Sequence, residues 1–442
     1  MPESPLAYSD NLIIFTTAPT GLGHLRVTKA IKDGLPDSIH SFILGATDKT
    51  LTYLHRLGSI NPVLRQVQYL VQYQPFAEHI FTANYRNYLR TNAEEIFYQL
   101  ETVISSHQPK IRNAVIVATH FSLAHQIAAI KDELQQKTGV RIKLFVIVTD
   151  DTFQSIWAVD GADFLFVPSE IIKRKYSRYF TSNKLPKPTI VTNPYPVSPF
   201  LAEKEEKFLK DRKAQLDPNS TVPTHIVTPI SGAAVQLEYL QSILQNLVTD
   251  TSKPFSVTIV CKKAPFTTSF LHISKMLPHV TTLSCTTNEE TIRWYDEVFA
   301  KTPIPSLEIT KPSEQAFKAL LSPRQRGGII FLFTDPVGRQ EVDNIKFLTR
   351  NHLLPTSTER SHLLSCFSSN TSVPVRLMKK VRKWRGLILP SSPHQAAKFI
   401  TYCRREQVFS AMLAYEPGKA LKNYDQGVPL LWQFVEKELA KL

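Results

Sequence analysis

An α/β chain with two doubly wound parallel sheets is the fold class that the sequence predicts. Two observations carry it. From residue 11 to about residue 350, short apolar runs alternate with stretches of helical spacing, the pattern of strand–helix–strand units. The alternation stops near residues 192–223 and then restarts. That interval holds Asn193-Pro194-Tyr195-Pro196, Pro199, a charged run, Pro218 and Pro223, which mark a domain boundary. The expected halves are 1–198 and 199–427, with a cleft between them. Residues 428–442 read as an amphipathic helix crossing back to the first half.

In the first half, Leu12-Ile13-Ile14-Phe15 reads as a buried strand. Gly21-Leu22-Gly23-His24 follows as a turn. From Leu25 the spacing of Val27, Ala30, Ile31 and Leu35 is helical. Residues 41–45 form a second strand. Residues 62–106 read as helical, and their rings (Tyr69, Tyr73, Phe76, Phe81, Tyr85, Tyr88, Phe97, Tyr98) as mostly helix core, with some free to line a groove for an apolar partner. Strands at 114–118, 142–148 and 164–167 end at Thr119-His120, Thr149-Asp150 and Pro168-Ser169-Glu170. Doubly wound sheets bind ligands at the carboxyl ends of their strands. Gly21, Gly23, His24, Thr119, His120 and Asp150 are therefore candidates.

The second half repeats the scheme. A strand over 224–228 leads into Ser231-Gly232-Ala233-Ala234 and a helix from Val235. Strands at 256–261 and 281–285 follow, the first ending at Lys262-Lys263. Lys311-Pro312-Ser313 opens a helix to Leu321, with Ser313 as its N-cap. After the apolar strand 328–333 comes a helix carrying Gln340, Glu341 and Asn344. The tail, 352–442, reads as helical and basic, with six cations and Trp384 in residues 376–385.

Composition limits the function. The 442 residues leave room for two or three domains, and 52 basic against 38 acidic residues give a net charge of +14. A chain this basic is expected to meet phosphates. No nucleic-acid-binding motif is present, so nucleic acid is not expected as a partner. Four scattered cysteines have no metal or redox spacing and fit a reducing cytoplasm. The first ten residues lack signal-peptide features, and no apolar run reaches transmembrane length. No metal cluster is evident. A dinucleotide site is a rival reading of the first turn, with Asp48 after the second strand as its acidic residue, but Arg26 stands where that fingerprint needs a third glycine.

Four segments together resemble one family. These are the first strand with Gly21-Leu22-Gly23-His24; residues 114–150 with Thr119-His120 and Val148-Thr149-Asp150; Trp157 with Phe166-Val167-Pro168-Ser169-Glu170; and, in the second half, Cys261-Lys262-Lys263, Thr310-Lys311-Pro312 and Gln340-Glu341-Val342-Asp343-Asn344. The chain resembles the monogalactosyldiacylglycerol synthase and processive diacylglycerol glucosyltransferase group, with the peptidoglycan N-acetylglucosaminyltransferase a more distant relative. The resemblance implies a GT-B fold and transfer of a sugar from a nucleotide-diphosphate donor, UDP-linked, to a lipid or lipid-linked acceptor. That reaction would take place at the cytoplasmic face of an anionic membrane, with no cofactor and no metal.

His24 is then the candidate base, with Asp150 its orienting partner or an alternative base. Ser231, Gly232, Lys262, Lys263, Lys311 and Ser313 would hold the diphosphate, and Gln340, Glu341 and Asn344 the donor sugar. The chain departs from the family at Ser231-Gly232-Ala233-Ala234, where the family loop is glycine-rich, and at Ser313, where it has glycine. Ala319 stands where the family places the carboxylate that holds the ribose. These departures keep a second reading open, a non-catalytic relative that binds a nucleotide or glycan. The basic run at 376–385 is expected to form an amphipathic helix that meets anionic lipid, with Trp384 inserting.

Overall fold

The computed structural model describes residues 6, 8, 10–18, 22–45, 75–249, 255–418 and 421–441. Gly21, Asp48, Tyr69 and Tyr73 lie outside the described residues. The chain forms two compact units, Met1–Pro199 with Gln426–Leu442, and Phe200–Asp425.

The sheet of the first unit contains β1 (Asn11–Thr17), β2 (Ser41–Gly45), β3 (Asn113–Ala118), β4 (Arg141–Ile147), β5 (Phe164–Val167) and β6 (Thr189–Thr192). All pairs are parallel, in the order β2-β1-β3-β4-β5-β6. β1, β3 and β5 are buried nearly end to end, as strands covered on both faces require. β6 is an addition to the sequence reading. Its four residues, Thr-Ile-Val-Thr, bury only Ile190 and give no apolar run to recognise.

The helices of this unit begin with α1 (Leu22–Lys32), α2 (Pro75–Thr91), α3 (Glu94–Ser106), α4 (Phe121–Thr138) and α5 (Glu170–Ser182). α1 starts at Leu22, three residues earlier than expected, because the buried Leu22 already belongs to its apolar face. Gly23 and His24 therefore lie in the first helical turn. The helical stretch expected over 62–106 is, where it is described, two helices. The break falls at Asn92-Ala93, where the side chains of Thr91 and Asn92 bond back to the Tyr88 carbonyl and compete with the helical pattern. Most of the described rings of this region are not core. Phe81 and Tyr88 of α2 are exposed and Tyr85 is half-buried, because α2 turns Thr82 and Leu89 inward instead; on α3 Phe97 is buried and Tyr98 exposed.

The second unit has β7 (Thr224–Pro229), β8 (Phe255–Lys262), β9 (Val280–Cys285), β10 (Leu307–Thr310), β11 (Ile330–Phe333) and β12 (Gly386–Ile388), parallel in the order β12-β11-β10-β7-β8-β9. Its main helices are α6 (Glu206–Leu216), α7 (Leu237–Val248), α8 (Thr268–Lys275), α9 (Asn288–Ala300), α10 (Arg339–Arg350), α11 (Ser357–Ser368), α12 (Val375–Val381), α13 (Pro393–Arg405) and α14 (Val408–Met412).

Three expectations fail in this unit. The segment after Ser313 is a 3-10 helix, Glu314–Leu320, and Ser313 makes no side-chain cap bond. Residues 315–320 are all buried, so the turn is shaped by packing rather than by capping. The basic run does not expose an apolar stripe. α12 ends at Val381, and Leu377, Val381 and Trp384 face the core, leaving Arg376, Lys379, Lys380, Arg382 and Lys383 exposed. Arg385 is fully buried and donates to the carbonyls of Gly328 and Ile329, both at 2.7 Å. β12 then begins immediately, a strand concealed by the charge run before it.

The last helix, α15 (Gly427–Leu439), belongs to the first unit. Its Trp432 Nε1 donates to the Ile31 carbonyl at 2.8 Å, and Asn193 Nδ2 donates to the Gly427 carbonyl at 2.9 Å. A Cβ on Gly427 would lie 2.4 Å from the carbonyl oxygens of Pro194 and Tyr195, so the helix can start there only with glycine.

Candidate functional site

In the first sheet β1 lies between β2 and β3, so the chain leaves β1 and β3 in opposite directions. A crevice opens at the carboxyl ends of strands where the order reverses in this way. His24 follows β1, and Thr119-His120 follow β3. His24 Nδ1 lies 2.8 Å from the Thr119 carbonyl. A carbonyl only accepts, so Nδ1 carries the proton and donates it, and in the neutral ring Nε2 carries the lone pair. The first turn of α1 is tied to the same strand end. Thr28 Oγ1 donates to the His24 carbonyl at 2.8 Å, and the Thr28 and Thr119 hydroxyls lie 2.7 Å apart.

His120 is the N-cap of α4, 1% exposed, and its Nδ1 accepts from the Ser122 backbone N–H at 3.3 Å. Its tautomer is thus the reverse of that of His24, with the proton on Nε2. The two rings meet edge to face at 4.8 Å between centroids. Trp157 lies 6.1 Å from the His24 ring and 5.6 Å from that of Phe121. A half-buried imidazole set among rings and oriented by a carbonyl can act as a proton acceptor. Asp150 is half-buried at the end of β4, the strand that pairs with β3.

The turn that carries Trp157 is clamped by contacts that no local pattern announces. Ser155 N–H and Oγ both donate to Glu78 Oε1, at 3.1 and 2.9 Å, and Arg86 donates to the Ser155 carbonyl at 2.6 Å. His125, on α4, bonds the Ile156 carbonyl through Nε2 at 2.8 Å. Burial pushes His125 down to about 4, and Arg86 and Arg90 push the same way, against the carbonyl bond.

In the second sheet the reversal falls between β7 and β10. The loop after β7 contains Ser231 and Gly232, and Lys311, Pro312 and Ser313 follow β10. α7 begins at Leu237, not Val235, because Ala234 and Gln236 adopt left-handed backbone (φ 48° and 62°). Gln236 donates through Nε2 to the Asp335 carbonyl at 3.0 Å and accepts from Thr334 Oγ1 at 2.6 Å. Sequence reasoning missed this residue, which joins the loop after β7 to the end of β11.

Lys311 Nζ pairs with Glu341 Oε1 at 2.7 Å, and Glu341 Oε2 accepts from the Val337 N–H at 2.8 Å. Asn344 is fully buried and donates to the Pro312 carbonyl at 3.2 Å. The Lys311–Glu341 pair and the Asn344–Pro312 bond together hold the loop after β10 against α10. Gln340 is half-buried in the first turn of α10. Lys262 reaches Asn288 Oδ1 at 3.0 Å, Lys263 is exposed, and Ala319 is fully buried. Behind this loop, Glu308 accepts from Lys318 at 2.9 Å and from the Tyr295 hydroxyl at 2.6 Å, a buried ion pair beneath rings.

No family model matches the chain. It is 22% identical over 395 residues to a processive diacylglycerol β-glucosyltransferase of Bacillus licheniformis, covering 86% of this chain and 92% of that protein. Among solved structures it is similar to the UDP-GlcNAc 2-epimerase of Neisseria meningitidis bound to UDP-GlcNAc, with a TM-score of 0.47 and 11% identity, covering 97% of this chain and 99% of that one. It is also similar to MurG of Acinetobacter baumannii, with a TM-score of 0.43 and 13% identity, covering 98% and 100%.

Proposed function

We propose that the protein is a GT-B glycosyltransferase. It moves a hexose from a nucleotide diphosphate, UDP-linked, to a lipid or lipid-linked acceptor at the cytoplasmic face of the membrane. The observation that carries this reading is the His24 imidazole, oriented by the Thr119 carbonyl at the strand-order reversal of its sheet, with the lone pair on Nε2. The near full-length likeness to a diacylglycerol glucosyltransferase supports the same class.

In this mechanism His24 Nε2 takes the proton of the acceptor hydroxyl as its oxygen bonds to the anomeric carbon of the donor sugar. The bond from that carbon to the diphosphate oxygen breaks, and the diphosphate leaves with the electron pair. Lys262, Lys263 and Lys311, with the Ser231-Gly232 and Ser313 backbone, offset the charge that develops there. Gln340, Glu341 and Asn344 shape the sugar pocket.

A second reading, a non-catalytic relative that binds a nucleotide or glycan, has its own support. Ala319 is buried and carries no carboxylate, the segment after Ser313 is a 3-10 helix, and Lys311 is paired with Glu341. Incubation with a panel of nucleotide sugars and lipid acceptors separates the two. A transferase releases nucleotide in an acceptor-dependent way. A binding protein shifts in melting temperature with the same ligands and releases none.

A further inference from the structure

The second unit carries a groove of about 620 Å³ whose lining includes residues of α7, α11 and α13, none of them a candidate site residue. Its volume falls within the range of small-molecule sites. Phe367, half-buried, contributes aromatic surface, and the buried Tyr402 backs it, their rings 5.5 Å apart between centroids. The Tyr402 hydroxyl is tied to the Thr371 carbonyl at 2.7 Å, which fixes its ring. Along α13, the lining residues His394, Lys398, Thr401 and Arg405 recur at spacings of three and four, so they share one face.

The charge of this lining has one sign. It contains Lys398, Arg405 and His394 and no carboxylate. Arg405 is partly offset, since its Nε meets Glu406 at 2.9 Å while Nη2 meets Asn370 Oδ1 at 2.7 Å. Its guanidinium lies 5.3 Å from the centre of the Tyr402 ring. His394 Nδ1 is 3.1 Å from Asn246 Oδ1. Lys398 makes no ion pair among the described residues, so its charge is available to a ligand. Ser368 and Thr401 add hydroxyls to the lining.

We propose that this groove is a second ligand site, taking a small organic phosphate that carries a planar ring. The phosphate meets Lys398 and Nη1 of Arg405, the guanidinium nitrogen that Glu406 and Asn370 leave unused, through charge-assisted bonds of the strong kind. The ring lies on Phe367, held in place by the buried Tyr402 behind it, where offset or edge contacts add to area burial. The assignment stands whether or not the chain transfers sugar, because it uses none of the same residues.

Phenyl phosphate, inorganic phosphate and phenol, each titrated into the full chain by calorimetry at low salt, test it. Phenyl phosphate is expected to saturate with a Kd below about 1 mM, at least about tenfold tighter than either fragment. Lys398→Gln with Arg405→Gln should weaken it about tenfold or more. Lys398→Glu should abolish it while leaving the Arg405–Asn370 bond in place. Lys210→Gln with Lys213→Gln, exposed cations outside the groove, should leave it unchanged. The proposal is overturned by any of three results: no saturable binding, inorganic phosphate binding as tightly as phenyl phosphate, or equal weakening by the two double variants.

Discussion

His24 stands in the first helical turn after a buried strand, its ring held by the Thr119 carbonyl at 2.8 Å. His24→Ala should lower transfer by roughly 10²–10⁴-fold, the usual loss for a general base, with the melting temperature little changed. An unchanged rate at saturating substrate would remove His24 from the mechanism. His125 makes a different prediction. Its folded pKa, about 4, lies below the unfolded value of 6.5, so the unfolded state binds the proton first. Stability is then fully present above about pH 6.5 and is lost as pH falls towards 4, by at most about 3 kcal/mol. His125→Gln, which keeps a donor for the Ile156 carbonyl, should flatten that slope in denaturant titrations at stepped pH. A variant as acid-sensitive as the parent would assign the slope elsewhere.

At the scale of elements, the loop after β10 and the start of α10 act as a unit. Asn344→Ala removes a fully buried amide from the Pro312 carbonyl and should destabilise the ligand-free chain by about 1–3 kcal/mol. Gln340→Ala, in the half-buried first turn, should leave stability alone and weaken donor binding. Titration with a nucleotide sugar beside a melting curve separates the two roles, and equal losses in both variants would mean that neither residue meets the donor. The basic run behaves in the same divided way. Trp384→Ala should destabilise the fold by about 3–5 kcal/mol because the ring is core. Replacing Lys379, Lys380, Arg382 and Lys383 by Gln should spare the fold and reduce binding to anionic vesicles, which should fall with salt because Trp384 is core and those exposed charges are screened. Cosedimentation indifferent to lipid charge would exclude that contact.

Strands with long apolar runs, such as β1, β3 and β11, were readable from the chain because burial on both faces leaves an unbroken apolar signature. β6 and β12 were not, since four residues rich in threonine and three behind a charge run give no period. The candidate residues at strand ends were readable by position. Their partners were not, because the His24–Thr119, Ser155–Glu78 and Thr334–Gln236 contacts join distant segments. The helix at Ser313 was misread because its sequence offers a cap, whereas six consecutive buried residues impose a tighter turn.

For the whole molecule, both units build parallel sheets, and at each reversal of strand order stand candidate residues: His24, Thr119 and His120 in the first, Ser231, Gly232, Lys311 and Ser313 in the second. Among the described residues no helix is long and apolar enough to cross a membrane. The central claim is that this chain transfers sugar with His24 as base. Its most direct test measures UDP released from a panel of UDP-sugars, with acceptor lipid in vesicles, for the parent and His24→Ala proteins. The account predicts acceptor-dependent release from at least one donor, falling by roughly 10²–10⁴-fold in the variant. Release that is equal in the two proteins, or absent with every donor while binding persists, would contradict it.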